Sequence, residues 1–500
     1  ISLRTPLAEC NGDHDVLSKT LYMRGLQCPK SLWLDRKRPE VRTAPSAALL
    51  AQWEAGNEVG LYAQQLFPGG VEIPYDGHTK VQQLGATKEL LAKGTQTIYE
   101  ATFSFGDVFV RADILRKVRD GWDLYEVKSA SHVKPHFPDD VAIQYFVLSG
   151  CGLRLRRAFL VHIDTGYVRR GEIAPEKLFA MQEVTEIVRE KQSAIPAEIA
   201  RMRKILSAGL PAIDIGPQCT NPYECDFIGY CWRHIPEHSV FDLKGRGIDR
   251  WDLYRKGIVR MDDVPPEVLN SAQRMQAEIH RNRGEHVEPD AIREFLEGLY
   301  YPICFLDFET YDFPIPPFDG TRPYQQIPFL YSLHRQDSPD GIVSHSEFLA
   351  PPGIDPRDGL TGRLLAAIPE EACVLAYNKT FEARVLKDLA ERFPQCRERL
   401  LAIAEGMHDL MVPFRRRNIY DWRMNGSYSL KSVLPVLVPE LTYEGMAIQE
   451  GKQASLAYLA LDKIESDKER RMAEGELLAY CRQDTLGMVR LLEKMRELAK

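Results

Sequence analysis

The sequence has no long hydrophobic segment. Its longest apolar runs, such as Phe146–Leu148 and Cys373–Tyr377, are far shorter than the roughly 20 residues of a membrane-spanning helix, so no membrane span is predicted. The stretch Ile1–Asp15 lacks a basic region followed by an apolar one, which predicts no secretory signal and a cytoplasmic location. Ten cysteines in 500 residues are too few for a disulfide scaffold, and a spaced cysteine cluster in a cytosolic chain more often binds metal.

An excess of positive charge is also missing, because the formal net charge is -7. This charge does not by itself indicate nucleic-acid binding. It does not exclude it either, since enzymes that hold Mg²⁺ concentrate carboxylates in their sites. The sequence contains no internal repeat and no low-complexity segment. Five hundred residues exceed what one hydrophobic core usually organises, so two or three domains are expected.

Residue patterns predict an α/β chain with two modules and a linker. Strands are predicted at 98–105, 108–118 and 122–128, and helices at 139–151 and 175–208. A buried strand begins at Ile303, and a long helix is predicted near the end of the chain, at 468–498. The predicted domains are 15–240, a polar helical connector at 241–298, and 299–500.

Two carboxylates and a lysine are predicted to converge in the first module. Asp113 lies in an apolar strand, and Glu126 and Lys128 occupy alternate positions of the next strand, so these two point to one face. Such carboxylates can hold divalent ions that polarise a phosphate, while the lysine orients the attacking group. Glu58, on an early helix, is a further candidate metal ligand. The alternative is an ordinary solvated strand edge.

Three cysteines, Cys219, Cys225 and Cys231, are regularly spaced in a polar, turn-rich stretch, and Cys28 precedes them at a predicted helix start. This setting favours metal ligands over buried structural thiols. The remaining cysteines have no such partners and are expected to be core or surface residues. They are Cys10, Cys151, Cys304, Cys373, Cys396 and Cys481.

With these motifs, residues 15–240 resemble the RecB-like branch of the PD-(D/E)XK nucleases, whose fold is a restriction-endonuclease-like mixed sheet. The resemblance implies that Gln144 belongs to the active site. It also implies a [4Fe-4S] cluster held by one cysteine before the nuclease core and three after it, here Cys28, Cys219, Cys225 and Cys231. The first gap of the trailing trio is longer than in that family. Zinc therefore stays an alternative, because four thiolates also suit tetrahedral Zn²⁺.

A second set of carboxylates lies in the last module. Asp307 and Glu309 are two residues apart on an apolar strand and share one face, where charges are rarely buried without a role. Tyr480 and Asp484 are four residues apart on a helix and therefore adjacent. Glu382 lies near the start of another helix that follows a buried strand.

These three pieces resemble the DEDD exonucleases of the DnaQ-like, RNase H-fold group, in the variant with tyrosine in the third motif. Glu382 stands where that family usually has Asp. The resemblance implies that Asp307, Glu309, Glu382 and Asp484 bind Mg²⁺ or Mn²⁺ and that Tyr480 positions the attacking water. Asp409 is an additional, weaker candidate.

Nearly the full chain resembles a bacterial family that fuses two such nuclease-like modules. Its segments Gly320–Phe329 and Gly426–Lys431 are polar and aromatic, and suit loops that contact substrate. The basic run Arg415–Arg417, followed by Tyr420 and Trp422, suggests phosphate pairing and base stacking, with a solvated charged face as the alternative.

The sequence therefore predicts a metal-dependent DNA nuclease that acts on single strands or ends and includes a 3′ to 5′ exonuclease module. By analogy, we expect a helicase or a repair or defence protein as a partner, and no association with a membrane. One alternative is an RNA-processing exonuclease. Another is a nucleic-acid-binding scaffold in which one site is inactive.

Overall fold

The computed structural model describes residues 16–500, which divide into two compact units. The first contains the described residues up to His234 together with Phe313–Tyr324. The second contains Ile235–Asp312 and Gln325–Lys500. Both are mixed α/β, as predicted. Cys10, the segment examined for a secretory signal and the predicted domain start at residue 15 lie outside the described residues. Within the described chain, no helix combines the length and apolar character needed to cross a membrane.

The first unit is built around one sheet flanked by helices. Its elements are β1 (Leu17–Ser18), α1 (Lys19–Gln27), α2 (Pro29–Lys37), α3 (Ala47–Gln64), β2 (Val71–Glu72), α4 (Lys80–Ala92), β3 (Thr97–Phe105), β4 (Val108–Val118), β5 (Gly121–Lys128), α5 (Phe137–Gly150), β6 (Leu155–Ile163), α6 (Pro175–Leu178), β7 (Phe179–Glu183), α7 (Thr185–Lys191), α8 (Ile195–Ser207) and α9 (Ile228–Cys231).

The sheet has the strand order β2-β3-β4-β5-β6-β7, with β1 pairing parallel to β4. Strands β3, β4 and β5 form an antiparallel meander, and the chain then crosses through α5 to β6, which runs parallel to β5. Both faces are covered. Leu124 belongs to one buried apolar cluster, and its neighbour Tyr125 belongs to the cluster on the other face.

The predicted helix at 175–208 is corrected. Most of it is helical, in α6, α7 and α8, but Phe179–Glu183 forms β7 and pairs antiparallel with Phe159–Ile163 of β6. So short an amphipathic pattern fits either a helix or a strand. It becomes a strand here because the edge of β6 offers hydrogen-bond partners for its backbone.

The second unit also has a central sheet. Its elements are α10 (Arg250–Arg255), α11 (Ser271–Asn282), β8 (Glu285–Val287), α12 (Pro289–Glu297), β9 (Ile303–Tyr311), β10 (Ile327–Gln336), β11 (Val343–Leu349), α13 (Arg357–Ala367), β12 (Cys373–Ala376), α14 (Thr380–Arg392), α15 (Arg397–Gly406), β13 (His408–Asp409), α16 (Val412–Arg415), β14 (Ile419–Asp421), α17 (Leu430–Leu437), α18 (Gly451–Ala460) and α19 (Asp467–Leu498).

Five strands form this sheet in the order β11-β10-β9-β12-β13. Strand β10 runs antiparallel to both β9 and β11, whereas β12 is parallel to β9 and β13 is parallel to β12. Strand β9 is central and almost wholly buried, which explains its run of apolar residues. Helices α13, α14 and α15 contribute to one large apolar cluster with the strands.

The predicted domain boundaries differ from the observed units. The supposed connector at 241–298 is part of the second unit: it has an apolar cluster of its own that includes Leu243, Leu253 and Met261. Its strand β8 pairs with β14, which fixes it to the rest of that unit. The segment Phe313–Tyr324 instead belongs to the first unit, where Arg169 donates to the carbonyl oxygens of neighbouring prolines at 3.0 and 2.7 Å.

Candidate functional site

The second unit brings together the four carboxylates predicted there. Asp307 and Glu309 extend from β9, Glu382 lies in the first turn of α14, and Asp484 lies in α19. Ligand atoms of Asp307, Glu309 and Cys481 lie within 4.8 Å of one another, and they form the one such set of three or more ligand-type residues in the described chain. The geometry is that of a candidate metal site.

Burial and mutual repulsion make ionisation of these carboxylates costly. Glu309, Glu382 and Asp484 are buried, and Asp307 is partly buried. Burial raises the pKa of Asp307, Glu309 and Glu382, and the neighbouring carboxylates raise each pKa further. Burial raises the pKa of Asp484 to about 6. A divalent cation would remove the repulsion that the protein leaves in place.

The protein supplies little positive charge to this site. Lys431, an exposed side chain, is the cation that lowers the pKa values of Asp307, Glu309 and Asp484. Among the described residues, the Oε2 atom of Glu382 is buried without a hydrogen-bond partner. An unsatisfied buried carboxylate oxygen is expensive unless a ligand binds it.

Two tyrosines and a cysteine complete the surroundings. The hydroxyl of Tyr443 donates to Oδ1 of Asp484. The ring of Tyr480 lies 6.2 Å from that of Tyr443, and the pKa of Tyr480 is raised by burial and by Asp484 and Glu309. The thiol of Cys481 donates to Oδ2 of Asp307 at 3.4 Å. Tyr480 is therefore near the acids as predicted, whereas Tyr443 and the role of Cys481 were not anticipated.

Asp409, the weaker candidate, already accepts hydrogen bonds from the backbone. Its Oδ1 accepts from the amides of Asn378 and Met411, each at 3.0 Å. These bonds fix the turn after β12, where Asn378 has a φ of 72°. Asp409 therefore shapes the loop that leads to Glu382.

The first unit also gathers its predicted carboxylates. Strands β4 and β5 pair only from Ile114 and Tyr125 toward their turn, and beyond that point they separate. In the gap, Oδ2 of Asp113 accepts from the amide of Val127 at 2.7 Å. Gln144 from α5 donates to Oε2 of Glu126 at 2.6 Å.

Two lysines pair with the carboxylates of this site. Lys128 donates to Glu126 at 2.7 Å and also pairs with Asp140. Lys19 donates to Glu126 at 2.8 Å and lies 3.3 Å from Asp140. Burial raises the pKa of Glu126 to about 7, while the lysines hold the pKa of Asp140 below its usual range. Lys19 and Asp140 were not predicted, because pairs so far apart in sequence leave no spacing pattern.

The prediction that Glu58 joins this site is corrected. Glu58 is exposed on α3. Helix α3 instead buries Val59 against the sheet face that carries Tyr125, opposite to the face of Glu126.

The four predicted cysteine ligands line one small cavity. Cys28 lies between α1 and α2, Cys219 and Cys225 lie in the loop after α8, and Cys231 ends α9. None of the four forms a disulfide with another described residue. Burial raises the pKa of Cys231, and the three other cysteines raise it further. The donor set therefore converges as the sequence predicted.

Polar contacts hold the chain around these cysteines. Arg24 of α1 pairs with both carboxylate oxygens of Asp226, at 2.5 and 3.0 Å. Gln27 donates to the carbonyl oxygens of Gln218 and Tyr223 at 2.9 and 2.7 Å. The start and the end of the first unit are thus fastened together beside the thiols.

The predicted stacking of bases on Tyr420 and Trp422 is corrected. Tyr420 is buried, and its hydroxyl accepts from the amide of Gly426 at 2.9 Å. The ring of Trp422 packs near His238 and His280. Both rings therefore make contacts within the protein, and the neighbours of Trp422 belong to the segment before β9.

Comparison with known proteins gives a partial match. Residues 304–429 match a family model described as a domain of unknown function (DUF2779), a span of about a quarter of the chain. The match contains Asp307, Glu309 and Glu382 and ends before Asp484. Among curated proteins, none matches this chain. A solved structure titled "Crystal structure of SSO0001" is 16% identical with a TM-score of 0.19, over 41% of this chain and 82% of that one.

Proposed function

We propose that the chain is a metal-dependent nuclease that hydrolyses phosphodiester bonds, with a 3′ to 5′ exonuclease site in the second unit. The observation that carries this proposal is the convergence of Asp307, Glu309, Glu382 and Asp484 with no lysine or arginine paired to them among the described residues. Carboxylate oxygens without cationic partners are what Mg²⁺ and Mn²⁺ bind.

The topology of the second unit supports this assignment. Its strand order, with only the second strand antiparallel to the others, is the order of an RNase H-like sheet. Asp307 and Glu309 lie on the first and central strand, and Asp484 lies on the last long helix, which are the positions of the first and third DEDD motifs. Glu382 lies near these acids, since Asp307 raises the pKa of Glu382 and Glu382 raises that of Glu309.

In this proposal the carboxylates position the reaction. Bound Mg²⁺ or Mn²⁺ would polarise the scissile phosphate and lower the pKa of the attacking water. Asp307, Glu309 and Asp484 would be the ligands. Tyr443 holds the carboxylate of Asp484 by a hydrogen bond, and Tyr480 lies beside it, where its hydroxyl can orient the water.

We also propose a second nuclease site in the first unit, at Asp113, Glu126, Lys128 and Gln144. The order of its core, α4-β3-β4-β5-α5-β6, supports a PD-(D/E)XK assignment. This site is already neutralised in part, because Lys19 and Lys128 both pair with Glu126 and Asp140. Carboxylates paired with lysines are less available to a metal ion. The alternative in which one nuclease site is inactive therefore suits the first unit better than the second.

The four cysteines of the first unit are proposed to hold a [4Fe-4S] cluster. They line one cavity, and four thiolates around one cavity suit such a cluster, with tetrahedral Zn²⁺ as the alternative. The role of the bound group is to maintain the fold.

The experiment that tests the nuclease proposal is Mn²⁺-dependent digestion of end-labelled single-stranded DNA, duplex DNA and RNA by anaerobically purified protein. We expect stepwise shortening from the 3′ end of single strands, and its loss in Asp307→Asn. Asp337→Asn, an exposed acid of the same unit that pairs with Arg335, is the matched control and should digest normally.

Preferential digestion of RNA would favour the RNA-processing alternative. Absence of Mn²⁺-dependent digestion of all three substrates would leave the scaffold function. Digestion by Asp307→Asn at the wild-type rate would contradict the assignment of the second site.

A further inference from the structure

The second unit contains an open cleft away from its buried carboxylates. One wall comes from the segment before β9, through Lys244, Asn270 and Ala272. The other comes from the exonuclease-like part, through Arg415, Arg417 and the stretch Gly426–Ser429. Its volume of about 550 Å³ lies within the roughly 300–1,000 Å³ of typical ligand sites.

The cleft is positively charged in a chain of net negative charge. Three of its lining residues are cations, and none of the lining residues in the described chain is acidic. Lys244 and Arg415 are exposed. The nearest carboxylate to Arg415 is Asp409 at 3.7 Å, and Asp409 is already bonded to two backbone amides. The pair with Asp409 is long, and about half of the Arg415 side chain is exposed, so the guanidinium can also contact an external anion.

Arg417 is a partly buried cation that has no carboxylate partner among residues 16–500. Its guanidinium donates to the carbonyl of Ala272 and, at 3.4 Å, to the amide oxygen of Gln276. Both acceptors are neutral. An incompletely compensated guanidinium at the cleft floor favours binding of phosphate.

One short segment of chain links the cleft to the carboxylate site. Ser429 lines the cleft, and two residues later Lys431 acts electrostatically on Asp307, Glu309 and Asp484. On the same side, the hydroxyl of Tyr377 donates to the carbonyl of Tyr428 at 2.8 Å. A nucleic-acid strand lying in the cleft would thus come within a few residues of Lys431, the side chain that acts on the acids.

One aromatic ring is free in the cleft. Tyr428 has 42% of its surface exposed, and only its backbone carbonyl is used in the contact with Tyr377. An exposed ring beside phosphate-binding cations is the usual arrangement for stacking an unpaired base.

We infer that this cleft binds single-stranded nucleic acid, with Lys244, Arg415 and Arg417 on successive phosphates and Tyr428 stacked on a base. The inference rests on the proposed function, because it assigns the path by which the strand reaches the carboxylates. Duplex DNA is a poorer ligand, since its bases are stacked on one another and present no face to Tyr428.

The test is fluorescence anisotropy of labelled oligo-dT, oligo-U and duplex DNA with the full chain in EDTA, where cleavage cannot occur. The double variant Lys244→Ala/Arg415→Ala should weaken single-strand binding at least tenfold. It should also flatten the plot of log affinity against log salt by about 1.4, that is about 0.7 for each phosphate that the variant no longer neutralises. Arg490→Ala, an exposed arginine paired with Glu493 on α19, is the matched control and should bind like wild type.

Stacking is tested separately. Tyr428→Ala should weaken single-strand binding about fivefold or more, and Tyr428→Phe should retain it, because the ring and not the hydroxyl makes the stack. Circular dichroism checks that each variant is folded. Wild-type affinity in both the double variant and Tyr428→Ala would overturn the inference, as would tighter binding of duplex than of single strands.

These outcomes are separable from the fate of the proposed function. If the cleft variants lose binding while the wild type digests nothing with Mn²⁺, the cleft assignment stands and the nuclease proposal fails. If digestion depends on Asp307 while the cleft variants bind and digest normally, the nuclease proposal stands and the cleft assignment fails.

Discussion

Each carboxylate of the second unit meets a different neighbour. Asp484 accepts from Tyr443, Asp307 accepts from the thiol of Cys481, and one oxygen of Glu382 has no partner among the described residues. These contacts hold the side chains in place without neutralising them. The protein therefore stores electrostatic repulsion that a bound cation can relieve.

The first prediction concerns the stability of the metal-free protein. The pKa of Asp484 is 3.8 in its ordinary state and about 6 in the fold, so the folded state binds the proton more tightly. The contribution of Asp484 to stability is therefore greatest below pH 4 and is lost as pH rises through about 6. Asp484→Asn cannot ionise, so the variant does not lose this stability as pH rises. In EDTA at neutral pH the variant should be more stable than wild type, by at most about 3 kcal/mol at about 1.4 kcal/mol per pKa unit.

Thermal unfolding across pH 4 to 7 measures this difference. Mn²⁺ should raise the melting temperature of wild type at neutral pH and have little effect on Asp484→Asn. A stability difference that does not change with pH would contradict the electrostatic account of Asp484.

The second prediction concerns Lys128 of the first unit. Lys128→Ala should reduce cleavage by this site on the order of 10²-fold or more, because a partly buried charge that would stabilise the reacting phosphate is removed. Bound iron should be unchanged, since Lys128 does not contact the cysteines. Lys117→Ala, an exposed lysine on β4, is the control. The comparison is made in an Asp307→Asn background, and equal cleavage by both variants would remove Lys128 from the active site.

At the scale of elements, the ends of strands create both sites. The β4-β5 ladder stops at Ile114 and Tyr125, and the resulting gap receives Lys19 from α1. Helix α1 is placed there because β1 pairs with the start of β4. In the second unit, α14 begins just after β12 and points Glu382 toward β9. Strand order therefore decides which distant residues meet.

The third prediction concerns the connection between the cysteines and the helices α1 and α2. Cys225→Ala should abolish bound iron and visible absorbance and should lower the melting temperature, because a structural metal is coupled to folding. Partial stability should persist through the contacts of Arg24 with Asp226. Cys151→Ala, an exposed cysteine of the same unit, should leave iron and stability unchanged. Full iron retention in Cys225→Ala would exclude it as a ligand.

Sequence reasoning located the residues that obey a local spacing. Asp307 with Glu309 and Tyr480 with Asp484 follow strand and helix periods, and both pairs lie in the elements predicted for them. Tyr443 could not be found this way, because it lies 41 residues from its partner Asp484. The helical pattern near Phe179 was misread because only the edge of β6 distinguishes strand from helix there. Glu58 satisfied the chemistry of a ligand, but the packing of Val59 turns it outward.

At the scale of the whole molecule, the two units carry separate candidate sites with different charge balance. In the first, two lysines pair with the acids. In the second, one exposed lysine acts on three of the four carboxylates. Net charge alone gives no sign of this division, because the basic residues of the cleft are offset by acids elsewhere.

The fourth prediction is that the two activities are independent. Asp307→Asn should remove 3′ to 5′ shortening and spare cleavage by the first unit, whereas Lys128→Ala should have the opposite effect. The double variant should lose both activities. Each activity should fall by the same factor as in the corresponding single variant, as expected for residues without shared partners. Gel analysis of products from 3′- and 5′-labelled strands distinguishes the two patterns. Loss of both activities from either single change would indicate one composite site.

The central claim is that the carboxylates of the second unit bind catalytic divalent ions. Calorimetric titration of Mn²⁺ into the metal-free full chain tests it most directly, with wild type, Asp307→Asn and the control Asp337→Asn compared at neutral pH. The account predicts Mn²⁺ binding in wild type and in the control, with the tightest sites lost in Asp307→Asn. Equal Mn²⁺ binding by wild type and Asp307→Asn, or none by either, would contradict it.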